Sequence, residues 1–324
     1  IQTWQHVATK ELKAVRCWGS HTVPSNYQKL MFIVGGFQKL SKFLTSDPES
    51  FKLLKKRVRL LVIDEAHQSV APTYKAVIEG LTDANTQIIG LTATPGRTLI
   101  DESQELANFY FSKLFGISNT QNNLETIQYL KRKKVLSRVD YDPLMTGQSY
   151  QLTAAQKRHL EKALDFPEKF LETLGDDEIR NAEIIKKLIK YTGKYKSILF
   201  FGCSVKHSKF ISGLLLYYEV PSAHIDGSTN SSRRNEILNE FKSGKISVLC
   251  NYGVLSTGFD APNTDVVFIS RPTKSVVLYS QMIGRGLRGP AVGGTEQCKI
   301  VDVRDEIQGL DINQLYSYFD DYWL

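Results

Sequence analysis

Apolar residues in the first third of the chain come in short unbroken runs, at residues 31–34, 60–63 and 88–91, each ended by a polar or glycine-containing turn. Runs of this length predict strands buried on both faces of a parallel sheet. Helical spacing over residues 74–81 lies between them, so strands and helices alternate, as in a doubly wound α/β sheet. From Thr153 to Tyr191 the pattern changes. Leu, Lys and Glu recur at helical spacing, interrupted only by Pro167 and Gly175, which predicts two or three helices. After Lys196 the short apolar runs return, at 197–201, 246–250, 265–269 and 299–303, and predict a second doubly wound domain. The expected organisation is a first domain over 1–150, a helical connection over 151–192 and a second domain over 193–324. Asp47-Pro48 and Gly175-Asp176-Asp177 read as loops.

Composition adds constraints rather than a function. A length of 324 residues suits two domains. No apolar run approaches the roughly 20 residues of a membrane-spanning helix, so no membrane partner is expected. The four cysteines, Cys17, Cys203, Cys250 and Cys298, form no Cys-x-x-Cys pair. Reduced thiols in a cytoplasmic or nucleoid-associated protein are expected, not a metal site or a disulfide framework. The net charge of +7 suits a polyanionic partner.

Candidate chemistry begins with Asp64-Glu65-Ala66-His67, directly after the run at 60–63. Ligands of open α/β sheets bind beyond the carboxyl ends of the strands. Two adjacent carboxylates there suit phosphoryl transfer, one holding magnesium and the other orienting an attacking water. The competing reading is a solvated acidic turn. The next strand runs into Thr92-Ala93-Thr94-Pro95-Gly96-Arg97, which would bring two hydroxyls beside the acidic pair. The second half supplies Leu255-Ser256-Thr257-Gly258-Phe259-Asp260-Ala261-Pro262 and Gln281-Met282-Ile283-Gly284-Arg285-Gly286-Leu287-Arg288. Glycines beside Arg285 and Arg288 would let guanidinium groups approach a phosphate, and arginine stabilises charge on a transferring phosphoryl group. The competing reading is a solvated helix face. The run Lys131-Arg132-Lys133-Lys134 reads as a solvated helix end before a strand at 135–141.

Together these segments resemble, in order and spacing, motifs II, III, V and VI of the superfamily 2 helicases and translocases. Phe201-Gly202-Cys203-Ser204 is similar to motif IV, and Asp226-Gly227-Ser228-Thr229 to the segment after it. Ile33-Val34-Gly35-Gly36-Phe37-Gln38 resembles motif Ic, and Trp4-Gln5, on a helix, the end of motif Ia. The wording of the motifs is most similar to DNA-repair and restriction motors with a DEAH box. The resemblance implies two RecA-like doubly wound domains, ATP with Mg2+ as cofactors, and an ATP-dependent helicase or translocase. It makes Asp64 the magnesium carboxylate, acting through water, and Glu65 the water-positioning residue. His67, Thr92, Thr94, Gly258 and Asp260 would serve the nucleotide, while Arg285, Arg288 and Gln281 would act on its phosphates across an inter-domain cleft. Gly35, Gly36, Phe37, Ser228, Thr229, Ser256 and Thr257 would meet nucleic acid, expected to be double-stranded or branched DNA bound without regard to sequence. Nuclease or methylase partners are left open. The alternative function is a helicase-like scaffold that binds nucleic acid or protein and hydrolyses nothing.

One departure stands out. No G-x-x-x-x-G-K-[ST] occurs, and the cluster from Gly289 to Gly294 carries Thr295 where the lysine belongs. Such a loop cradles the β- and γ-phosphates. The family places it before motif Ia, so the expectation is a chain cut from a longer protein, its first domain incomplete. Alone it is expected to lack ATPase activity and to expose part of that domain's apolar surface.

Overall fold

The computed structural model describes residues 13–23, 31–92, 100–113, 115, 123–163, 165–254, 263–308 and 310. The chain divides into two compact units, Ile1–Phe115 and Gly116–Leu324.

In the first unit, β1 (Lys13–Cys17) and β2 (Met31–Gly35) form one parallel pair, and β3 (Leu60–Asp64) and β4 (Gln87–Leu91) another. The helices are α1 (Phe37–Ser46), α2 (Pro48–Lys55), α3 (Pro72–Leu81) and α4 (Ile100–Phe109). Asp47-Pro48, expected as a loop, starts α2. The Asp47 carboxylate accepts the Ser50 N–H at 3.1 Å, and Pro48 occupies the first helical position, where its missing N–H costs nothing. Cys17, Leu40, Phe51, Leu54, Val77 and Leu81 build one core, and Ile63, Ala66 and Ile78 a second. Successive strand residues face opposite ways. The other face of β3–β4 therefore presents Leu60 (51% exposed), Val62 (40%), Ile89 (47%) and Leu91 (48%), an exposed apolar face in the unit where one was expected.

The second unit holds α5 (Asn123–Arg132), β5 (Arg138–Tyr141), β6 (Leu144–Gln151), α6 (Ala154–Ala163), α7 (Glu168–Asp176) and α8 (Glu178–Thr192). Then follow β7 (Ile198–Phe201), α9 (Val205–Tyr217), β8 (Ser222–Ile225), α10 (Ser231–Lys242), β9 (Val248–Asn251), β10 (Val266–Ile269), α11 (Val276–Ile283) and β11 (Gln297–Gln308). The sheet order is β5-β11-β10-β7-β9-β8, with β6 also on β11, and every pairing is parallel. Leu199, Phe201, Leu249, Val267 and Ile269 pack with Ile237 and Phe241 of α10 and Met282 of α11. The alternate residues Ile198, Phe200, Val248, Cys250, Val266 and Phe268 pack with Ile184 and Leu188 of α8 and Ile211 and Leu215 of α9. Burial on both faces explains the unbroken apolar runs.

The division falls after Phe115, not at residue 150. β11 is long enough to pair with β10 along one edge and with β5 and then β6 along the other, so both strands join the second sheet. Likewise α7 and α8, expected as a connection, belong to this unit's core. Arg180 of α8 is fully buried, with its Nε 2.9 Å from Asp305 of β11. The four cysteines are buried and unpaired, and no helix among the described residues is long and apolar enough to cross a membrane.

Candidate functional site

β3 delivers Asp64 at its carboxyl end, and the chain then turns sharply. Glu65 lies in the left-handed region (φ 52°, ψ 47°), which a residue with a side chain occupies only when its surroundings hold it there. Its N–H donates to Asp64 Oδ1 at 2.9 Å, and a short 3-10 turn over Ala66–Gln68 follows. The parallel register sets Asp64 opposite Leu91, so Thr92 emerges beside this turn. His67, buried, has Nδ1 3.2 Å from Thr92 Oγ1 and 3.5 Å from Glu65 Oε2. Four residues singled out from sequence thus converge at the ends of two adjacent strands.

Asp64 is exposed. Among the described residues no group of three or more His, Cys, Asp or Glu could hold a metal by itself. A single exposed carboxylate suits magnesium, which keeps several waters and takes its other ligands from phosphate.

Tyr110, which no sequence signal marked, braces the acidic turn: its hydroxyl lies 2.8 Å from Ser69 Oγ. Gly90 fits beneath it. A Cβ there would come within 2.7 Å of the Tyr110 ring and 2.8 Å of Ala66 Cβ, so the strand approaches this closely only because residue 90 has no side chain.

The expected nucleic-acid residues are more constrained than their types suggest. The Gly36 N–H is bonded to Cys17 O at 3.0 Å, and the Phe37 ring stacks on Tyr74 with centroids 3.9 Å apart. At the end of β8, buried Asp226 organises its own loop. Its Oδ1 accepts the N–H groups of Ser228 (2.8 Å) and Thr229 (3.2 Å) and the Ser228 hydroxyl (2.6 Å). The Ser228 hydroxyl first, and then the His224 Nε2 that lies 3.0 Å from Asp226 Oδ2, hold the Asp226 carboxyl far below the usual carboxylate range. The N–H groups of Ser228 and Thr229 are therefore already held by Asp226, although Ser228 itself is exposed. Thr94, Ser256, Thr257, Gly258 and Asp260 lie outside the described residues.

Helix α11 carries half-buried Gln281 and ends at Ile283, so Arg285 and Arg288 sit in the following loop rather than on a helix face. The Arg288 carbonyl accepts the Ser137 hydroxyl at 2.7 Å and the Thr295 N–H at 2.9 Å, and the Gly289 N–H donates to Val135 O at 2.8 Å. The segment after the basic run, expected only as a strand over 135–141, thus anchors the backbone of the arginine loop through Val135 and Ser137. Gly286 has a packing reason: a Cβ there would fall 2.4 Å from Cys298 Sγ and 2.6 Å from Val267 Cγ2. Arg271, at the end of β10, pairs with Asp165 and lies 5.5 Å over the Tyr252 ring. Neither it nor Tyr252 was singled out beforehand.

Comparison with known proteins bears on this geometry. The profile of the helicase conserved C-terminal domain matches residues 180–289, and that of the type III restriction enzyme res subunit matches residues 2–97. A 51.5 kDa protein of a Lactococcus phage (isolate 7-9) is 25% identical over 268 residues, covering 83% of this chain and 52% of that protein. IRC3 of Saccharomyces cerevisiae, whose name places it among ATP-dependent helicases, is 28% identical over 253 residues, covering 76% of this chain and 34% of IRC3. The chain thus spans about half or less of the length of these relatives. The helicase Lhr of Mycobacterium smegmatis, solved with single-stranded DNA and AMP-PNP, shares the fold at a TM-score of 0.54 and 18% identity, over 91% of this chain and 35% of Lhr.

Proposed function

We propose that this chain, which belongs to the superfamily 2 helicases and translocases, is the core of an ATP-driven motor that moves along DNA without reading its sequence. The observation carrying the reading is the meeting of Asp64, Glu65, His67 and Thr92 at the ends of β3 and β4. Asp64 would hold magnesium through water, the ion would neutralise phosphate charge, and ATP as substrate would supply the phosphoryl group for transfer to water. Glu65 orients that water; its left-handed backbone and the nearby His67 ring fix where the carboxylate sits. His67 joins Glu65 to Thr92, so a shift of either strand end is felt by the other. The profile of a restriction-enzyme subunit over residues 2–97 favours DNA as the track. A net charge of +7 favours binding through phosphates.

The test is Glu65→Gln in the full-length protein. Nucleotide binding should persist while hydrolysis falls by at least about a hundredfold, since the water loses its orienting base. Near-wild-type turnover would overturn the assignment. Stimulation of wild-type hydrolysis by RNA but not by DNA would overturn the choice of track.

A further inference from the structure

We infer that the stacked pair Phe37–Tyr74 is the link through which nucleic acid at the Gly35-Gly36 turn adjusts the position of Glu65. The inference rests on the proposed function and deepens it, since it states how binding would stimulate hydrolysis.

One end of the link is the Gly35-Gly36 turn, at the carboxyl end of β2. The Gly36 N–H is bonded to Cys17 O and its carbonyl accepts the Leu40 N–H, each at 3.0 Å. Turn and helix α1 are therefore tied to each other, and Phe37 is the first residue of that helix. Its ring lies 3.9 Å from that of Tyr74, with 25° between the planes. Both rings pack against the small core of Ile63, Ala66 and Ile78, which contains the alanine of the acidic turn itself.

The other end is Glu65. Tyr74 sits in the first turn of α3, and short-range backbone bonds join that turn to Glu65. The Gln68 N–H donates to Glu65 O, Ala71 to Gln68 O and Lys75 to Ala71 O, each at 2.9 Å. A displacement of Tyr74 therefore reaches the left-handed residue through a hydrogen-bonded segment with little slack. Burial pushes the Tyr74 phenol up, and the nearby Glu65 charge is the next cause. In sequence, Phe37 and Tyr74 belong to separate segments; only packing joins the expected nucleic-acid turn to the expected hydrolytic one.

A pair that merely fills the core would, when cut, lower stability and all activity together. A link would instead lower the ratio of stimulated to basal hydrolysis. The experiment measures kcat for ATP in the full-length protein, without nucleic acid and at saturating duplex DNA. The variants are Tyr74→Leu, Phe37→Leu, the two combined, and Tyr74→Phe. Each leucine variant should lower the stimulation ratio about fivefold, the scale of one aromatic pair. The double variant should do no worse than either single one, and Tyr74→Phe should keep the wild-type ratio. If Tyr74→Leu does not fold, Tyr74→Met fills the volume without a ring and carries the same expectation. Three results overturn the inference: an unchanged ratio, effects that multiply in the double variant, or equal loss of basal and stimulated rates alongside a lower melting temperature. A wild-type enzyme that hydrolyses ATP with no response to DNA or RNA would instead sink the proposed function, and this link with it.

Discussion

Acid should loosen the second unit through one buried histidine. His207, on α9, is 1% exposed and packs edge-on against Phe200, with ring centroids 5.7 Å apart. Its Nδ1 accepts the Cys203 N–H at 3.0 Å, which requires that nitrogen to carry no proton. Burial, and then the Arg180 guanidinium, push its pKa from 6.5 to about 3. In the unfolded chain the ring takes a proton near 6.5, whereas in the folded protein it stays neutral until about 3. Between those values the unfolded state binds the extra proton. The stability contribution is thus fully present above pH 6.5 and is lost as pH falls toward 3. Each pH unit in that window is worth about 1.4 kcal/mol, so acidifying from 6.5 to 4.5 should remove about 2–3 kcal/mol. His224 is also lowered by burial and adds loss of the same sign, while Asp226 adds its own only in stronger acid. The assay is hydrogen exchange at the α9 amides of the whole chain, corrected for intrinsic rates and converted to opening free energies across this range. His207→Asn keeps an acceptor for the Cys203 N–H but cannot titrate, so only the slope due to His224 should remain. A flat wild-type profile, or an asparagine variant with the full slope, would refute the reasoning.

Asp305→Asn should destabilise the second unit by about 3–5 kcal/mol in urea unfolding, because Arg180 would stay buried without its countercharge. Gly90→Ala should cost about 1–3 kcal/mol of first-unit stability, visible as a lower melting temperature, since the added methyl meets Tyr110 and Ala66. An unchanged melt would mean that Tyr110 does not brace the turn. Arg288→Ala in the full-length protein should lower DNA-stimulated ATP hydrolysis at least about tenfold while nucleotide-free duplex affinity holds, as expected of an arginine acting on phosphoryl charge. Loss of affinity with hydrolysis intact would move Arg288 to the nucleic-acid track.

What could be read from sequence followed from short unbroken apolar runs, which are buried on both faces in β7, β9 and β10. β2, β3, β4, β7, β9 and β10 are short, parallel and apolar throughout or nearly so, and their apolar runs locate them. The Asp64–His67 turn and Thr92 could be paired because one strand's end lies beside the next in register. β8 escaped notice because Ser222 and His224 are polar, their needs met by Ser212, Ser208 and Asp226. β1, with Lys13 and Arg16, offered no apolar run either.

Other features belong to tertiary structure alone. The unit boundary depends on which edge of β11 a strand joins, a pairing about 160 residues apart that local pattern does not encode. The capture of the Ser228 and Thr229 N–H groups depends on where buried Asp226 sits, and the reason for Gly286 on what strands β10 and β11 place beneath it. Residue types and their order along the chain were enough to nominate the chemistry, because phosphoryl transfer demands carboxylates, hydroxyls and arginines at strand ends. Which of those donors remain available to a ligand is set by neighbours distant in sequence, since a buried polar group must find its partner within the fold.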